Sequence, residues 1–234
     1  TGFGRMLEPP ELLDDIVSFF FFMSLAGKKV LLTAGPTFEP IDPVRGITNL
    51  SSGKTGFAIA RAARDAGAQV TLIAGPTALA TPRGVQRVDV TTAREMMEAV
   101  VGNLPVDVFI SVAAVADWNV SNPSRSKIKK DGSATPLTLK FAPNPDILAT
   151  VASLPSAPYC VGFAAESDDV IENARRKLTN KKVPLIVANR AQDVFGSDSS
   201  ELSLIDGNGV TTLPRSNKLA QARRLMTEIA SRLG

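Results

Sequence analysis

From Lys28 onward, short apolar runs alternate with longer segments in which apolar residues recur at helical spacing. Short apolar runs bounded by glycine or proline are typical of buried strands, and apolar positions three and four apart are typical of helices that cover a sheet. The predicted strands cover residues 30–32, 70–73, 85–90, 106–112, 137–141, 159–163 and 185–188, and the predicted helices cover 57–66, 93–101, 146–153, 168–178 and 219–233. The alternation predicts an α/β protein with a Rossmann-like, mostly parallel sheet and helices on both faces.

Three segments depart from this alternation. Residues 117–130, with the sequence DWNVSNPSRSKIKK, are polar and lack a helical stripe, which predicts a mobile loop. The apolar runs 202–205 and 210–213 flank the turn sequence DGNG and predict a small β-hairpin. Residues 1–26 are predicted to be a linker or the tail of an upstream domain, which leaves 27–234 as one domain.

A glycine-rich loop follows the first predicted strand, in the sequence SSGKTG at 51–56. A strand, such a loop and a helix form a phosphate site in many α/β proteins, because backbone N–H groups and the helix dipole favour an anion there. A Walker A loop would need glycine at position 48, which is Thr48. A standard NAD site would need a carboxylate after the second strand, which instead ends in AGP at 74–76. The loop therefore predicts a site for a nucleotide or another phosphorylated ligand, of neither of these two kinds.

The composition removes several kinds of chemistry. The chain contains no histidine, which excludes Ser-His-Asp and Cys-His catalysis and most zinc sites. Its one cysteine, Cys160, lies in an apolar run and is predicted to be a buried core thiol. A net charge of +3 and 6% aromatic residues do not favour nucleic-acid binding. A single cysteine cannot form an internal disulfide, which favours a cytoplasmic location. The apolar run 19–23 is far shorter than the roughly 20 residues that span a bilayer, so the sequence predicts no membrane attachment.

Two clusters near the carboxyl ends of predicted strands carry candidate chemistry. Lys127 begins the sequence KIKK, whose cations could close over a polyphosphate or could simply face solvent. Asp117 follows the small residues 113–116, and its carboxylate could hold a divalent cation against phosphate oxygens or could cap a helix. Small side chains at that strand end would also allow backbone groups to contact the edge of a base.

An amide and a pair of lysines complete the candidate site. Asn49, just before the glycine loop, could stabilise a developing oxyanion, or it could be an ordinary turn asparagine. Lys177 and Lys181 are four residues apart in a predicted helix, so both ammonium groups should share one face.

Together these segments resemble the bacterial, CTP-dependent phosphopantothenoylcysteine synthetase family, usually the C-terminal half of a bifunctional coenzyme A biosynthesis protein. The matching runs occur in the family's order over about 28–234, and they are TAGPTFEPIDPVR, ITNLSSGKTGFAIA, AAVADW, KIKKDG, NPDIL, VGFAAES and GSDSSELSLID. The start, GRMLEPPEL, resembles the end of the upstream decarboxylase half. Thr55, Phe38 and Ser200 stand where the family commonly has methionine, arginine and asparagine.

The resemblance implies a two-step ligation in the cytoplasm. The carboxylate of 4′-phosphopantothenate would attack the α-phosphate of CTP with Mg²⁺ present, and the amine of cysteine would then attack the acyl-cytidylate and release CMP. Asn49 would serve the second step and Lys127 the triphosphate. CTP contacts would come from Ala113, Asp117, Lys127, Pro145, Asp146, Ile147, Leu148, Phe163, Lys177 and Lys181, with Asp117 also holding Mg²⁺.

The resemblance also implies a homodimer, with the predicted hairpin and the basic loop as interface elements, and FMN only in the upstream domain. Two other functions stay open from the residues alone. One is an NAD(P)-dependent Rossmann oxidoreductase, which the missing ribose carboxylate disfavours. The other is a nucleotide-binding module without catalytic activity.

Overall fold

The computed structural model describes residues 23–129, 137–166, 168–190 and 199–234, together with Ile16. The strands of these residues are β1 Lys29–Ala34, β2 Phe38–Pro40, β3 Gly46–Thr48, β4 Gln69–Ala74, β5 Gln86–Asp89, β6 Val108–Ser111, β7 Trp118–Val120, β8 Phe141–Pro143, β9 Tyr159–Glu166, β10 Leu185–Arg190, β11 Ser199–Asp206 and β12 Gly209–Asn217. The helices are α1 Lys54–Asp65, α2 Ala93–Gly102, α3 Ile147–Ala152, α4 Val170–Lys181 and α5 Lys218–Leu233.

The fold is built on a sheet of eight strands in the order β12-β11-β10-β9-β6-β1-β4-β5. The pairs from β10 to β5 are parallel, whereas β11 and β12 are antiparallel additions at one edge. The predicted α/β fold with a mostly parallel sheet is therefore confirmed, and the predicted hairpin is β11–β12. Two further antiparallel pairs, β2–β3 and β7–β8, lie outside the large sheet.

Two apolar layers cover the two faces of this sheet. Leu32 belongs to the cluster that contains the buried residues of α1 and α5, whereas its neighbour Leu31 belongs to the cluster that contains those of α2, α3 and α4. Successive residues of a strand point to opposite faces, so a strand covered on both sides needs a continuous apolar run. This explains why the sequence of β1 is apolar without alternation, and it confirms helices on both faces.

Local signals place most helix ends well. Thr92 caps α2, where its hydroxyl accepts from the Glu95 amide at 3.2 Å and the Glu95 carboxylate accepts from the Thr92 amide at 3.2 Å. This is the capping box that a threonine three residues before a glutamate predicts from the sequence. Helix α1 begins at Lys54, three residues before the prediction, and α4 extends to Lys181 rather than residue 178.

Leu25, which precedes β1, is 1% exposed in the core and donates its amide to the carbonyl of Ala66. Among the helices of the described ranges, none has the length and apolar content needed to cross a bilayer.

The short strands outside the sheet were not predicted correctly. Residues 117–130 were expected to form a loop, but Trp118–Val120 is β7, and its partner β8 begins at Phe141 rather than at residue 137. The β2–β3 pair was missed altogether. Each of these strands has three residues, too few for an alternating pattern, and their pairing depends on contacts with distant segments. Lys130 of the predicted loop lies outside the described residues.

Candidate functional site

A cavity of about 890 Å³ opens at the carboxyl edge of the parallel strands. The neighbours of β1 in the sheet are β4 on one side and β6 on the other. The chain first adds β4 and β5 on one side of β1 and then returns to add β6 on the other side, so the strand order reverses at β1. Ligands of open α/β sheets bind outside such a reversal point. Gly35, which follows β1, and residues 111–117, which end and follow β6, both line the cavity.

The start of α1 forms one wall of this cavity. Gly53, the residue before the helix, has a φ of +76°, and a Cβ on it would lie 3.3 Å from the Cα of Gly35. Only glycine combines that conformation with so close an approach. The amides of Gly53 and Lys54 have long hydrogen bonds, of 3.4 and 3.5 Å, to the hydroxyls of Ser51 and Ser52. Because these bonds are weak, an anionic ligand could replace them at little cost.

Asn49 lies in the loop after β3, five residues before α1 begins, and not at the helix start itself. Its side-chain Nδ2 donates to the carbonyls of Ala114 and Val115, at 3.1 Å each. A carbonyl can only accept, so the amide nitrogen and not Oδ1 must face this pair, and both of its hydrogens are used. Oδ1 is the atom of Asn49 that stays available to a ligand. The residue therefore presents an acceptor to the cavity, which does not suit the predicted stabilisation of an oxyanion.

The backbone after β6 has two groups that could contact a ligand. The carbonyls of residues 114–116 accept hydrogen bonds from the side chains of Asn49 and Asn144. The amides of residues 112–114 and 116 donate to groups on or just after β1. The carbonyl of Ala113 and the amide of Val115 have no hydrogen-bond partner in the described part of the chain.

Asn144 joins the opposite wall to this segment. Its amide nitrogen Nδ2 donates to the carbonyl of Ala116 at 2.8 Å, and its backbone N–H donates to that of Asp117 at 2.8 Å. It precedes Pro145 and Asp146, the latter of which caps α3 by accepting from the Ala149 amide at 3.0 Å. Pro145, Asp146, Ile147 and Leu148 all line the cavity. The structure thus brings these four predicted residues to the segment that contains Asp117.

The two lysines of α4 point into the same cavity and are paired with carboxylates. Lys181 Nζ lies 2.9 Å from Asp146 Oδ2, and Lys177 Nζ lies 2.6 Å from Glu166 Oε1. Burial acts to raise the pKa of the Asp146 carboxyl, but hydrogen bonds from the Ala149 amide and from Lys181 outweigh it, so the pKa lies below its usual value. The shared face that their spacing predicted is confirmed.

Lys127 is the one predicted site residue that does not line the cavity. It belongs to the segment 121–129, which contacts the β2–β3 hairpin through Ser124 and Ile128. Every other predicted site residue lines the cavity: Asn49, Ala113, Asp117, Pro145, Asp146, Ile147, Leu148, Phe163, Lys177 and Lys181. Cys160 is buried and lies outside the cavity, and burial raises the pKa of its thiol to about 11.

Asn144, Asn189 and Lys218 are among the lining residues that sequence reasoning missed. Asn189 lies near the carboxyl end of β10 in the parallel sheet, which is the signal that would have identified it. Asn144 follows β8, which lies outside that sheet, so the same signal does not apply to it. Lys218 begins α5, and no local signal shows that β12 returns the chain to this edge. Among the described residues, no group of three or more acidic, cysteine or histidine side chains could enclose a metal ion.

Comparisons with known proteins identify the family of the chain. The profile of a family described as the DNA/pantothenate metabolism flavoprotein C-terminal domain matches residues 25–233. The coenzyme A biosynthesis bifunctional protein CoaBC of Vibrio cholerae is 47% identical over 231 residues, which are 97% of this chain and 58% of that protein. The chain thus spans less than two thirds of that relative.

Solved structures share the fold. The crystal structure of the C-terminal domain of a CoaBC protein is 38% identical, with a TM-score of 0.77, and the match covers 90% of this chain and 97% of that one. A Cab2 mutant in complex with phosphopantothenate-cysteine is 17% identical, with a TM-score of 0.74 over 98% of this chain and 94% of that one, which shows the fold alone.

Proposed function

The chain belongs to the DNA/pantothenate metabolism flavoprotein C-terminal domain family, and we propose that it joins 4′-phosphopantothenate to cysteine at the expense of CTP, as a step of coenzyme A synthesis. The observation that carries this proposal is one cavity that combines the start of α1, two lysines and the Asn49 amide. The identity to a CoaBC protein and to the C-terminal domain of another supports it. We assign the activity to residues 27–234, with 1–26 as a linker or the tail of an upstream domain, of which Leu25 packs into the core of this domain.

Cytosine would be recognised by backbone groups. Its N4 amino group is a donor and its N3 is an acceptor, which suits the carbonyl of Ala113 and the amide of Val115. Uracil reverses both polarities and would leave both backbone groups without partners. Phe163 lines the cavity and would cover a face of the base or ribose.

In the first step, a carboxylate oxygen of 4′-phosphopantothenate bonds to the α-phosphorus of CTP, the bond from that phosphorus to the β-phosphate oxygen breaks, and pyrophosphate leaves. Lys177 and Lys181 would neutralise phosphate oxygens, and their carboxylate partners Glu166 and Asp146 would keep them in place. Asp117 lines the cavity, and its carboxylate has no ion pair among the described residues. A single carboxylate plus substrate phosphates is a common way to hold Mg²⁺, which would supply further charge neutralisation.

In the second step, the cysteine amine bonds to the acyl carbon, the bond from that carbon to the phosphate oxygen breaks, CMP leaves, and the amine loses a proton to solvent. The available Oδ1 of Asn49 would accept a hydrogen bond from this amine and orient its lone pair toward the acyl carbon. Lys127 would act on the triphosphate in the first step. Because Lys127 does not line the cavity, this role requires the segment 121–129 to approach it.

A homodimer is part of this proposal, and exposed side chains suggest where it forms. Trp118 is 56% exposed and Phe141 is 50% exposed. Trp118 pairs with Pro143, two residues from Phe141, so both aromatic rings lie on one face of the β7–β8 pair. Exposed aromatic residues are enriched in protein interfaces. This face therefore supplies more exposed apolar surface than the predicted hairpin.

Pyrophosphate release tests the function. The protein should release pyrophosphate only when CTP and 4′-phosphopantothenate are both present, and CMP and the cysteine adduct should follow when cysteine is added. Pyrophosphate without the acid, or reduction of NAD(P)⁺ by an added substrate, would contradict the ligase. Binding of CTP without any turnover would favour the non-catalytic module.

A further inference from the structure

Asp42 is a buried carboxylate outside the cavity, in the turn between β2 and β3. It is 2% exposed. Its Oδ1 accepts the amides of Val44 and Arg45, at 2.8 and 2.9 Å, and its Oδ2 accepts Nε and Nη2 of Arg45, at 3.0 and 2.5 Å. An aspartate often accepts nearby amides in a turn, so these bonds alone would explain its presence.

A fifth bond goes beyond the needs of the turn. The amide of Ile128, 86 residues away in sequence, donates to Asp42 Oδ2 at 3.1 Å. The carbonyl of the same residue accepts from Arg45 Nη2 at 2.8 Å. The pair of side chains therefore binds Ile128 at both of its backbone groups. A second contact, from the Ser124 amide to the Ile41 carbonyl at 2.9 Å, attaches the same segment to the hairpin.

This double attachment fixes the backbone on both sides of Lys127. Ile128 is its direct neighbour, so the segment cannot slide along the hairpin without breaking two charge-assisted hydrogen bonds. The Arg45 guanidinium holds the pKa of the Asp42 carboxyl well below its usual range, so the carboxylate stays charged at neutral pH.

The same hairpin leads directly to Asn49. Strand β3 ends at Thr48, whose hydroxyl donates to the Thr37 carbonyl at 2.7 Å, and the next side chain is held by the carbonyls of residues 114 and 115. One rigid hairpin thus has Ile128 bound at its turn and Asn49 at its end.

We propose that Asp42 is a positioning residue that, with Arg45, holds Lys127 at a fixed place relative to Asn49. The cation of the first step and the amide of the second step are then set by one hairpin. The inference rests on the proposed function only in giving Lys127 a task at the triphosphate.

Hydrogen exchange of the ligand-free protein tests the attachment without reference to activity. Asp42→Asn keeps the shape of the side chain but removes its charge, and we expect exchange at the Ile128 amide to accelerate at least about tenfold. Asp206→Asn is the matched control, because Asp206 also accepts two turn amides and pairs with an arginine, Arg232, in the β11–β12 hairpin. Equal exchange at Ile128 in wild type, variant and control would overturn the proposal.

Kinetics then tests the link to Lys127. Asp42→Asn should lower kcat for pyrophosphate release with little change in KM, and the double variant with Lys127→Gln should be no slower than Lys127→Gln alone, because both changes remove the same interaction. If the two losses multiply, Asp42 acts through general stability and the positioning role is wrong. Arg45→Lys is the milder variant should Asp42→Asn fail to fold, and the same two outcomes decide. If the wild type releases no pyrophosphate, the proposed function is refuted. Hydrogen exchange at the Ile128 amide does not depend on activity, so it would still test whether Asp42 holds the segment.

Discussion

The lysines of α4 and the lysine of the segment 121–129 are held in different ways. Lys177 and Lys181 belong to a helix packed on the sheet. Their partners also belong to regular elements, because Glu166 ends β9 and Asp146 caps α3. Lys127 belongs to an irregular segment that is bound through its backbone to a hairpin outside the sheet. The first pair is therefore fixed to the cavity wall, whereas Lys127 is fixed to the hairpin.

This difference separates two tasks. Cations that are fixed to the cavity wall can bind the ground state and the transition state alike, which favours affinity. Under the proposed function, a cation that lies outside the cavity acts only in the step in which the triphosphate reaches it, which favours that one step of the reaction. Asn49 lies where the two regions meet, because it ends the hairpin and donates to the segment after β6.

Asn49→Ala should have the largest effect, because it removes the residue at which both regions meet. Activation should continue, with a burst of pyrophosphate and accumulation of the acyl-cytidylate, while formation of the cysteine adduct slows by about a hundredfold or more, since orientation of the amine is lost. Asn103→Ala, which removes a side-chain amide at the end of α2, is the control. Quench-flow analysis of both products measures the two steps, and normal cysteine ligation would rule out this role.

Replacing CTP with UTP tests the cavity region alone. Because uracil would leave the Ala113 carbonyl and the Val115 amide without partners, kcat/KM should fall about a hundredfold or more, at about 1–3 kcal/mol for each group. Alanine substitution of Phe163 should weaken binding of both nucleotides without changing the preference. Equal kcat/KM values for CTP and UTP would refute recognition by these backbone groups.

Lys181→Gln should raise the KM for CTP by about 10- to 100-fold with a smaller effect on kcat, because it removes a charge-assisted bond and leaves Asp146 without its cation. Arg175→Gln, an exposed position on the same helix, controls for the loss of one charge. Titration calorimetry with CTP gives the affinity directly. An effect on kcat alone would show that the α4 pair does not belong to the binding region.

Lys127→Gln should change kcat rather than KM: kcat for pyrophosphate release should fall about tenfold, and KM for CTP should change little. The reason is that charge shifts along the triphosphate as pyrophosphate leaves, so a cation there stabilises the transition state more than the ground state. Arg125→Gln removes a charge from the same segment and is the matched control. If Lys127→Gln and Lys181→Gln change KM alike, the division into two tasks fails.

Cys160 gives the prediction with the smallest expected effect, a change in the pH dependence of stability, and it concerns only the buried core of the sheet. Its pKa is raised from 9.0 to about 11, so the folded chain keeps the proton that the unfolded chain loses. The thiol therefore has no effect on the pH dependence of stability below about pH 9, and it lowers the free energy of unfolding as pH rises from about 9 to 11. Denaturation of wild type and Cys160→Ala across this range should show a shallower fall for the variant, and parallel curves would contradict a buried thiol.

The features that the sequence predicted well depend on neighbours along the chain. The pairing of Thr92 with Glu95 and the shared face of Lys177 and Lys181 involve residues three or four apart, and their geometry follows from the helix itself. The apolar runs of β1, β4 and β10 are long enough to identify buried strands. The predicted strands that end near Asp117 and Phe163 then placed both residues at one edge of a parallel sheet. In the structure β6 ends at Ser111, and β9 extends past Phe163 to Glu166.

The features that it did not predict depend on distant partners. Strands β7 and β8 are each three residues long, and residues 121–140 separate them. Nothing near Asn49 reveals that its amide nitrogen donates to carbonyls 65 and 66 residues away, so the polarity it presents to a ligand was not accessible. The same holds for the segment that contains Lys127, because the amide of its neighbour Ile128 donates to Asp42, 86 residues away.

The sequence by itself thus determined the α/β class, the glycine loop with Gly53 and most of the residues around the cavity, because hydrophobic periodicity and helix geometry act over a few residues. Only the tertiary structure decided which hydrogen-bonding atoms remain available there and to which unit each cation is attached. The physical reason is that buried polar groups must find partners, and the partner is whatever group the packed chain brings within about 3 Å. That choice is made by the fold of the whole sheet and not by the residues nearby.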